Sequence, residues 1–268
     1  MFVTSLPDLS SCTTWQEFAE RLVAPIHRAA LICAVARQHA TDGKPLRNPR
    51  PLTDELHAVI EMMREDLRTP LMRRPMAETG DARDLSALAD DSIAGILTSP
   101  PYLSRHDYTR LTRPHEQVYG YWQPTAPPTR QRKTQVRAHP KAYRRDWGHA
   151  QHPSVAEACD ALRLRGETKL AGIVRSYFDD LTAAMHEFAR VLRGGGPCWL
   201  VIAGARLKNV YIPSDTIIAD MAQDCGFTAV ELRVARRLIN IGRNFGGLTN
   251  VSPRETLLVL RRNQPEVG

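Results

Sequence analysis

The sequence predicts an α/β chain in two parts: a helical N-terminal segment over residues 1–75 and a sheet-forming region over residues 76–268. Three observations carry that reading. Before residue 70 the apolar residues recur only at helical spacing. From about residue 76 short apolar runs alternate with amphipathic stretches, as in α/β sheets. Prolines and glycines fall between those runs and end them.

Each element follows in order. Thr14 and Glu17 have capping-box spacing, and Trp15, Phe18, Leu22 and Ile26 then form a helical stripe that Pro25 kinks or divides. Residues 42–51, with Gly43, Pro45, Asn48 and Pro49, read as a loop. A second helix follows Thr53, with Leu56, Val59, Ile60, Met63 and Leu67 on one face and Asp54 and Glu55 in its first turn. Met76 to Gly80 is expected to be a short strand ending at Asp81, and Ser92 to Thr98 a second one, stopped by Pro100 and Pro101. Ser176 to Leu192 reads as an amphipathic helix ended by Gly194, Gly195 and Gly196, and Cys198 to Ala203 as a buried strand. Pro213 and Ser214 open another helix, closed by Gly226. Two final strands, Thr228 to Ile239 and Glu255 to Arg261, are expected to pair as an antiparallel hairpin around Gly242 to Thr249. Residues 103–175 form a Pro- and Arg-rich insertion of weak periodicity; a loop that long is either functional or disordered.

Bulk properties narrow the class. The chain has 268 residues, enough to bury a sizeable core, and contains no apolar run long enough to span a membrane. Its first residues, Met1-Phe2-Val3-Thr4-Ser5, lack a secretory signal, so a cytoplasmic location without membrane attachment is expected. Cys12, Cys33, Cys159, Cys198 and Cys225 are scattered and never spaced as CxxC, which fits reduced thiols and offers no zinc site. The formal charge is +7. Within the insertion, Arg130, Arg132, Lys133, Arg137, Lys141, Arg144 and Arg145 face only Asp146. Such a run is either a solvated loop or a contact for a polyanion.

The chemistry concentrates in three motifs. Gly80-Asp81-Ala82-Arg83-Asp84-Leu85 is followed by Ile96-Leu97-Thr98-Ser99-Pro100-Pro101-Tyr102, and later by Arg190-Val191-Leu192-Arg193-Gly194-Gly195-Gly196. An isolated Ser-Pro-Pro-Tyr reads as a rigid turn. In this order, over residues 76 to 262, the motifs resemble those of the amino-methylating DNA methyltransferases, whose (D/N/S)-P-P-(Y/F) tetrapeptide follows a strand and a G-D-A-like turn. The third motif resembles that family's R-V-L-K-P-G-G turn, with Gly in place of Pro.

The resemblance implies a Rossmann-like, S-adenosylmethionine-dependent methyltransferase sheet, here its strands three to seven. It implies transfer of a methyl group to an exocyclic amino nitrogen of a DNA base. Ser99 and the carbonyl of Pro100 then accept the amino hydrogens, Pro101 stiffens the turn, and Tyr102 stacks on a base swung out of the duplex. No covalent enzyme intermediate is needed, since direct transfer relies on proximity and orientation. Asp81, Ala82 and Thr98 are the expected cofactor contacts, although Asp81 also reads as a turn or cap residue. Ser in the first tetrapeptide position is closer to the cytosine-N4 enzymes than to the adenine-N6 enzymes. The basic insertion, with Tyr121, Trp122, Tyr143 and Trp147 as stacking surfaces, is the expected DNA contact, and Arg105, His106, Asp107 and Tyr108 lie next to the tetrapeptide in sequence.

One family landmark is missing. The F-x-G-x-G turn that holds the cofactor in the resembled enzymes is absent; residues 1–75 hold only Gly43, and Phe245-Gly246-Gly247 lacks the spacing and reads as a hairpin loop. Half a doubly wound sheet leaves an apolar strand edge to cover. The expectation is therefore a subunit of a split enzyme of restriction-modification or phage defence. A second polypeptide supplies the glycine turn, and residues 1–75 are a candidate bridge to it. A truncated gene, an RNA base methyltransferase and a non-catalytic DNA-binding subunit of a methyltransferase complex remain as other readings.

Overall fold

The computed structural model describes residues 6–40, 44–69, 76–104, 106–122, 134–142, 152–237 and 253–264. The chain divides into two compact units, Met1–Ala77 with Asp107–Gln131, and Glu78–His106 with Arg132–Gly268. Part of the insertion thus belongs with the N-terminal segment, and a single cut near residue 75 does not describe the division.

The first unit is helical. Helix α1 (Trp15–Arg21) starts at a complete capping box, in which the Thr14 hydroxyl accepts from Glu17 N–H and the Glu17 carboxylate accepts from Thr14 N–H. It stops at Leu22, and Pro25 restarts the chain as the first residue of α2 (Pro25–Arg37), so the proline divides the stripe. Helix α3 (Leu52–Asp66) buries Leu56, Val59 and Ile60, while Leu67 lies beyond its end and is exposed. In the insertion, α4 (Tyr108–Leu111) precedes α5 (Arg113–Trp122), whose Val118 is fully buried in the same core as Phe18, Leu31 and Leu56. The Tyr121 ring meets Trp15 edge-on at 5.5 Å, and its hydroxyl donates to Glu20.

The second unit is the α/β part. Strand β1 (Ile96–Thr98) is shorter than the run from Ser92. Helices α6 (Pro153–Arg163) and α7 (Thr168–Val191) pack together, and β2 (Pro197–Ala203) follows. Strands β3 (Ala205–Leu207) and β4 (Val210–Ile212) make a small separate hairpin. Helix α8 (Ser214–Asp224) leads to β5 (Phe227–Arg237) and β6 (Arg254–Arg262), which pair antiparallel as expected. The main sheet has the order β1-β2-β6-β5. Since β1 is parallel to β2 and β6 is antiparallel to both β2 and β5, strands β1, β2 and β5 run the same way. The expected strand over Met76–Gly80 does not form; those residues are exposed and join no ladder, and only an isolated bridge, Asp81 to Asp84, lies there.

One face of the sheet is the core. Cys198, Leu200, Ile202, Leu258 and Leu260 pack with Phe178, Met185 and Phe188 of α7 and with Ile217, Ile218 and Met221 of α8. Burial pushes the Cys198 thiol up to about 12, so it is an inert packing group. On the opposite face the paired residues Leu97 and Trp199 are 75% and 36% exposed, and β1 is the edge strand. No helix among the described residues is long and apolar enough to cross a membrane.

The glycine turn after α7 locks helix to sheet. Gly195 has φ +73, and a Cβ on Gly196 would lie 2.8 Å from the Arg193 carbonyl. Arg190, in the last turn of α7, donates to the carbonyls of Leu85 and Leu88 and to Asp90. Glu187 accepts from Arg190 and from the Leu85 N–H, and these bonds hold its carboxyl down at about 2. A depressed carboxyl adds stability at neutral pH that is lost as pH falls from the ordinary glutamate value toward 2. Glu187→Gln is therefore expected to lower the urea midpoint at pH 7 and to flatten its decline in acid; parallel acid profiles would contradict the assignment.

Candidate base-binding site at the carboxyl rim

Open α/β sheets place ligands beyond the carboxyl ends of their parallel strands. Thr98 ends β1 there, half-buried and in register with Leu200. The next residue, Ser99, is exposed, and its hydroxyl donates to the Val201 carbonyl on β2 at 3.2 Å. That bond uses the one hydroxyl proton and leaves the Oγ lone pairs as acceptors. Pro100 and Pro101 are half-buried and bring no N–H to compete. Tyr102 leans against the core with one part of its ring buried. The chain then turns at Ser104, φ +53, whose N–H donates to the Ala138 carbonyl. A strand end, an oriented hydroxyl and a braced aromatic ring are therefore set side by side along Thr98 to Tyr102.

The G-D-A turn is fixed by a polar network that motif reading missed. Asp81 accepts both Nε and a terminal nitrogen of Arg83, at 2.9 and 2.6 Å, and also the Arg83 N–H. Arg83 continues to the Thr134 carbonyl at 2.6 Å and to Asp180 on α7 at 3.1 Å. The hydrogen bond to Asp81, then the nearby Asp180, raises the Arg83 guanidinium above its ordinary range. Asp180 is buried and also holds Arg137 through its backbone N–H and its guanidinium, with Asp179 as a further partner. A signal was available: Asp180 lies three residues after Tyr177 and four before Ala184, inside the buried stripe of α7, where an unpaired carboxylate is costly.

These bonds change two expectations. Arg137 is 6% exposed and occupied by two carboxylates, so it braces the insertion and is not offered to a phosphate. Asp81 is exposed but already engaged by Arg83, whereas Ala82 is exposed. Lys141 lies on the surface. Arg130, Arg132, Lys133, Arg144 and Arg145, with Arg105, Tyr143 and Trp147, lie outside the described residues. An open concavity lined by Leu6, Arg50, Asp54, His57 and Arg64 belongs to the helical unit and contains none of the motif residues. No cluster of metal-ligating side chains occurs among the described residues.

Comparison with known proteins gives the site its family context. No protein-family model matches the chain. The type II methyltransferase M.AvaI of Nostoc sp. is 26% identical over 152 residues, covering 52% of this chain and 32% of that enzyme. M.BsoBI of Geobacillus stearothermophilus is 24% identical over 200 residues, covering 65% of this chain and 39% of the relative. The chain thus spans between a third and two fifths of the length of these relatives. A Thermus thermophilus protein described as a DNA modification methylase, solved with S-adenosyl-L-methionine, has 17% identity and a TM-score of 0.37. That match covers 70% of this chain and 56% of the other, an overall likeness too slight to define the fold by itself.

Asp180→Ala leaves Arg83 with Asp81 and Arg137 with Asp179 but removes their shared buried partner. It is expected to cost about 1–3 kcal/mol in urea unfolding; an unchanged midpoint would show that neither arginine depends on it. By sequence, 52–65% of this chain is similar to parts of type II methyltransferases, in line with the resemblance to DNA methyltransferases carried by its motifs.

Proposed function

We propose that the chain is the base-binding part of an S-adenosylmethionine-dependent DNA methyltransferase that methylates an exocyclic amino nitrogen. The observation that carries this is the Ser99 hydroxyl, tied to the Val201 carbonyl so that its lone pairs are the open side. An exocyclic amino nitrogen is a poor nucleophile because its lone pair is delocalised into the ring. Ser99 Oγ and the Pro100 carbonyl accept its hydrogens and favour the tetrahedral form that attacks. Tyr102 stacks on the extruded base and offsets part of the few kcal/mol that extrusion costs. Ser at position 99 favours cytosine N4 over adenine N6, and restriction-modification or phage defence is the setting that the type II relatives suggest.

Residues suited to S-adenosylmethionine are present for one end of the molecule only. Asp81 and Ala82, in the turn that Arg83 ties to Asp180, and Thr98 at the end of β1 are the candidate contacts for the adenosine end, with Arg83 already engaging the Asp81 carboxylate. The sequence has no F-x-G-x-G turn for the remainder. Bound S-adenosylmethionine supplies the methyl group; this chain's own part is to hold, orient and activate the base. A second polypeptide carrying the F-x-G-x-G turn completes the enzyme. The open edge at β1 and the exposed Leu97 and Trp199 beside it support that reading, because parallel strands are normally covered on both faces. The helical N-terminal unit is the candidate bridge, and Lys141, Arg130, Arg132, Lys133, Arg144 and Arg145 are candidate DNA contacts.

The test is incorporation of tritiated methyl groups into duplex DNA by the full chain, alone and with a candidate partner polypeptide that carries the F-x-G-x-G turn. Transfer is expected only from the pair, and Ser99→Ala and Tyr102→Ala are each expected to reduce it by about 100-fold or more. Transfer by the chain alone would remove the split arrangement, and undiminished transfer by both variants would favour a non-catalytic subunit.

A further inference from the structure

The end of the sheet away from β1 carries a feature that the proposed mechanism does not use. Strand β5 runs parallel to β1 and β2, so its last residues, Arg236 and Arg237, reach the same carboxyl rim as Ser99 and Tyr102. Strand β6 begins at that rim with Arg254, in register with Arg237, and Glu255, in register with Arg236. Glu255 is also in register with Ala203 on β2, two residues beyond the carbonyl that holds Ser99. The Arg236 guanidinium lies close enough to Tyr102 to interact with it electrostatically, while the axes of β1 and β5 are three strand spacings of about 4.8 Å apart, about 14 Å. That is about four base-pair steps along a duplex.

Arg236 and Arg254 are held by carboxylates. Arg236 donates to Glu255 at 2.9 Å while its side chain stays 67% exposed. Arg254 donates to Asp215 at 2.6 Å; Asp215 is fully buried at the start of α8 and also accepts from the Thr256 hydroxyl. Arg237 is exposed. By register, Arg237 and Arg254 share one face of the hairpin and Arg236 and Glu255 the other. The three guanidinium groups therefore come together only at the strand end, where two carboxylates engage Arg236 and Arg254 and leave an excess of positive charge. Each guanidinium has five donors in a planar fork, and a carboxylate that fixes one side presents the other for a second bidentate anion.

We propose that Arg236, Arg237 and Arg254 form a phosphate-gripping rim that holds the DNA backbone beside the extruded base. This rests on the DNA methyltransferase reading and adds a contact surface on the final hairpin to the insertion expected from sequence. The rim anchors the flanking duplex within a few base pairs of Tyr102, so that extrusion of the target nucleotide works against a fixed backbone. The contacts are to phosphate, so they add affinity without choosing a sequence.

The experiment is binding of the full chain to a short fluorescent DNA duplex, followed by anisotropy over a series of salt concentrations. The double variant Arg236→Gln/Arg237→Gln is expected to bind at least tenfold more weakly at low salt. Its plot of log affinity against log salt is expected to be shallower by about 1.8, that is about 0.9 for each lost phosphate contact. Arg236→Lys/Arg237→Lys is expected to restore the slope, and Ser99→Ala to leave it unchanged. Should the double variant fail to fold by circular dichroism, Arg237→Gln alone is expected to lower the slope by about 0.9. An unchanged slope, no duplex binding by the wild-type chain, or a loss seen only with an RNA hairpin each overturns the rim. Because no methyl transfer is needed, the two readings fail separately. A rim that binds duplex in a reconstituted pair that never methylates removes the proposed function alone, whereas methylation with an unaltered slope removes the rim alone.

Discussion

The second unit is organised around one buried carboxylate. Asp180 lies on the inward face of α7 and binds two arginines from separate segments that precede it in sequence, Arg83 from the G-D-A turn and Arg137 from within the insertion. Neither segment belongs to the sheet, and neither has a strand ladder to hold it. The charge pairing therefore does what hydrogen-bonded register does elsewhere. Burying such a cluster costs desolvation, so its value lies less in net stability than in fixing one arrangement of three segments. With Arg83 held, Asp81 is held, and with the residues around Ala138 held, the turn after Tyr102 has the carbonyl to which Ser104 donates.

The same logic explains how a strand of three residues can present a site. Strand β1 has a single neighbour, but the segment before it is clamped by Arg190 and Glu187 at the end of α7, and its last residue runs into two prolines. The Ser99 hydroxyl then ties the first turn residue back to β2. The three motifs that resemble those of amino-methylating enzymes are therefore mechanically joined through α7. The fourth, the F-x-G-x-G turn, is not in the sequence, and among the described residues β1 is an edge strand of the sheet.

Much of this was legible in the sequence because it depended on local rules. The capping box at Thr14, the division at Pro25, the apolar stripe of α7 and the final hairpin all follow from spacing and punctuation, and the structure reproduces them. What was not legible depended on pairing between distant residues. Met76–Gly80, expected as a strand, joins no ladder among the described residues, and a strand without partners has no hydrogen-bonded reason to exist. Arg137 sits in a basic run and reads as one of its solvated charges, yet a carboxylate 43 residues away removes it from the surface. The weak periodicity of the insertion hid α5, whose apolar face belongs to the N-terminal core. At the site, Ser99 and Tyr102 were marked by their motif. The Val201 carbonyl that orients Ser99 and the arginines at the end of β5 appear only once strand directions are known.

The central claim is that Ser99 and the Pro100 carbonyl act on an amino group and not on a ring carbon. The most direct measurement is mass spectrometry of nucleosides released from duplex DNA that the reconstituted pair has modified. The expected product is a base methylated on its exocyclic nitrogen, N4-methylcytosine before N6-methyladenine, and it is lost when Ser99 is replaced by Ala. Methylation of cytosine at ring carbon 5, which needs a cysteine nucleophile that this rim does not hold, would contradict it.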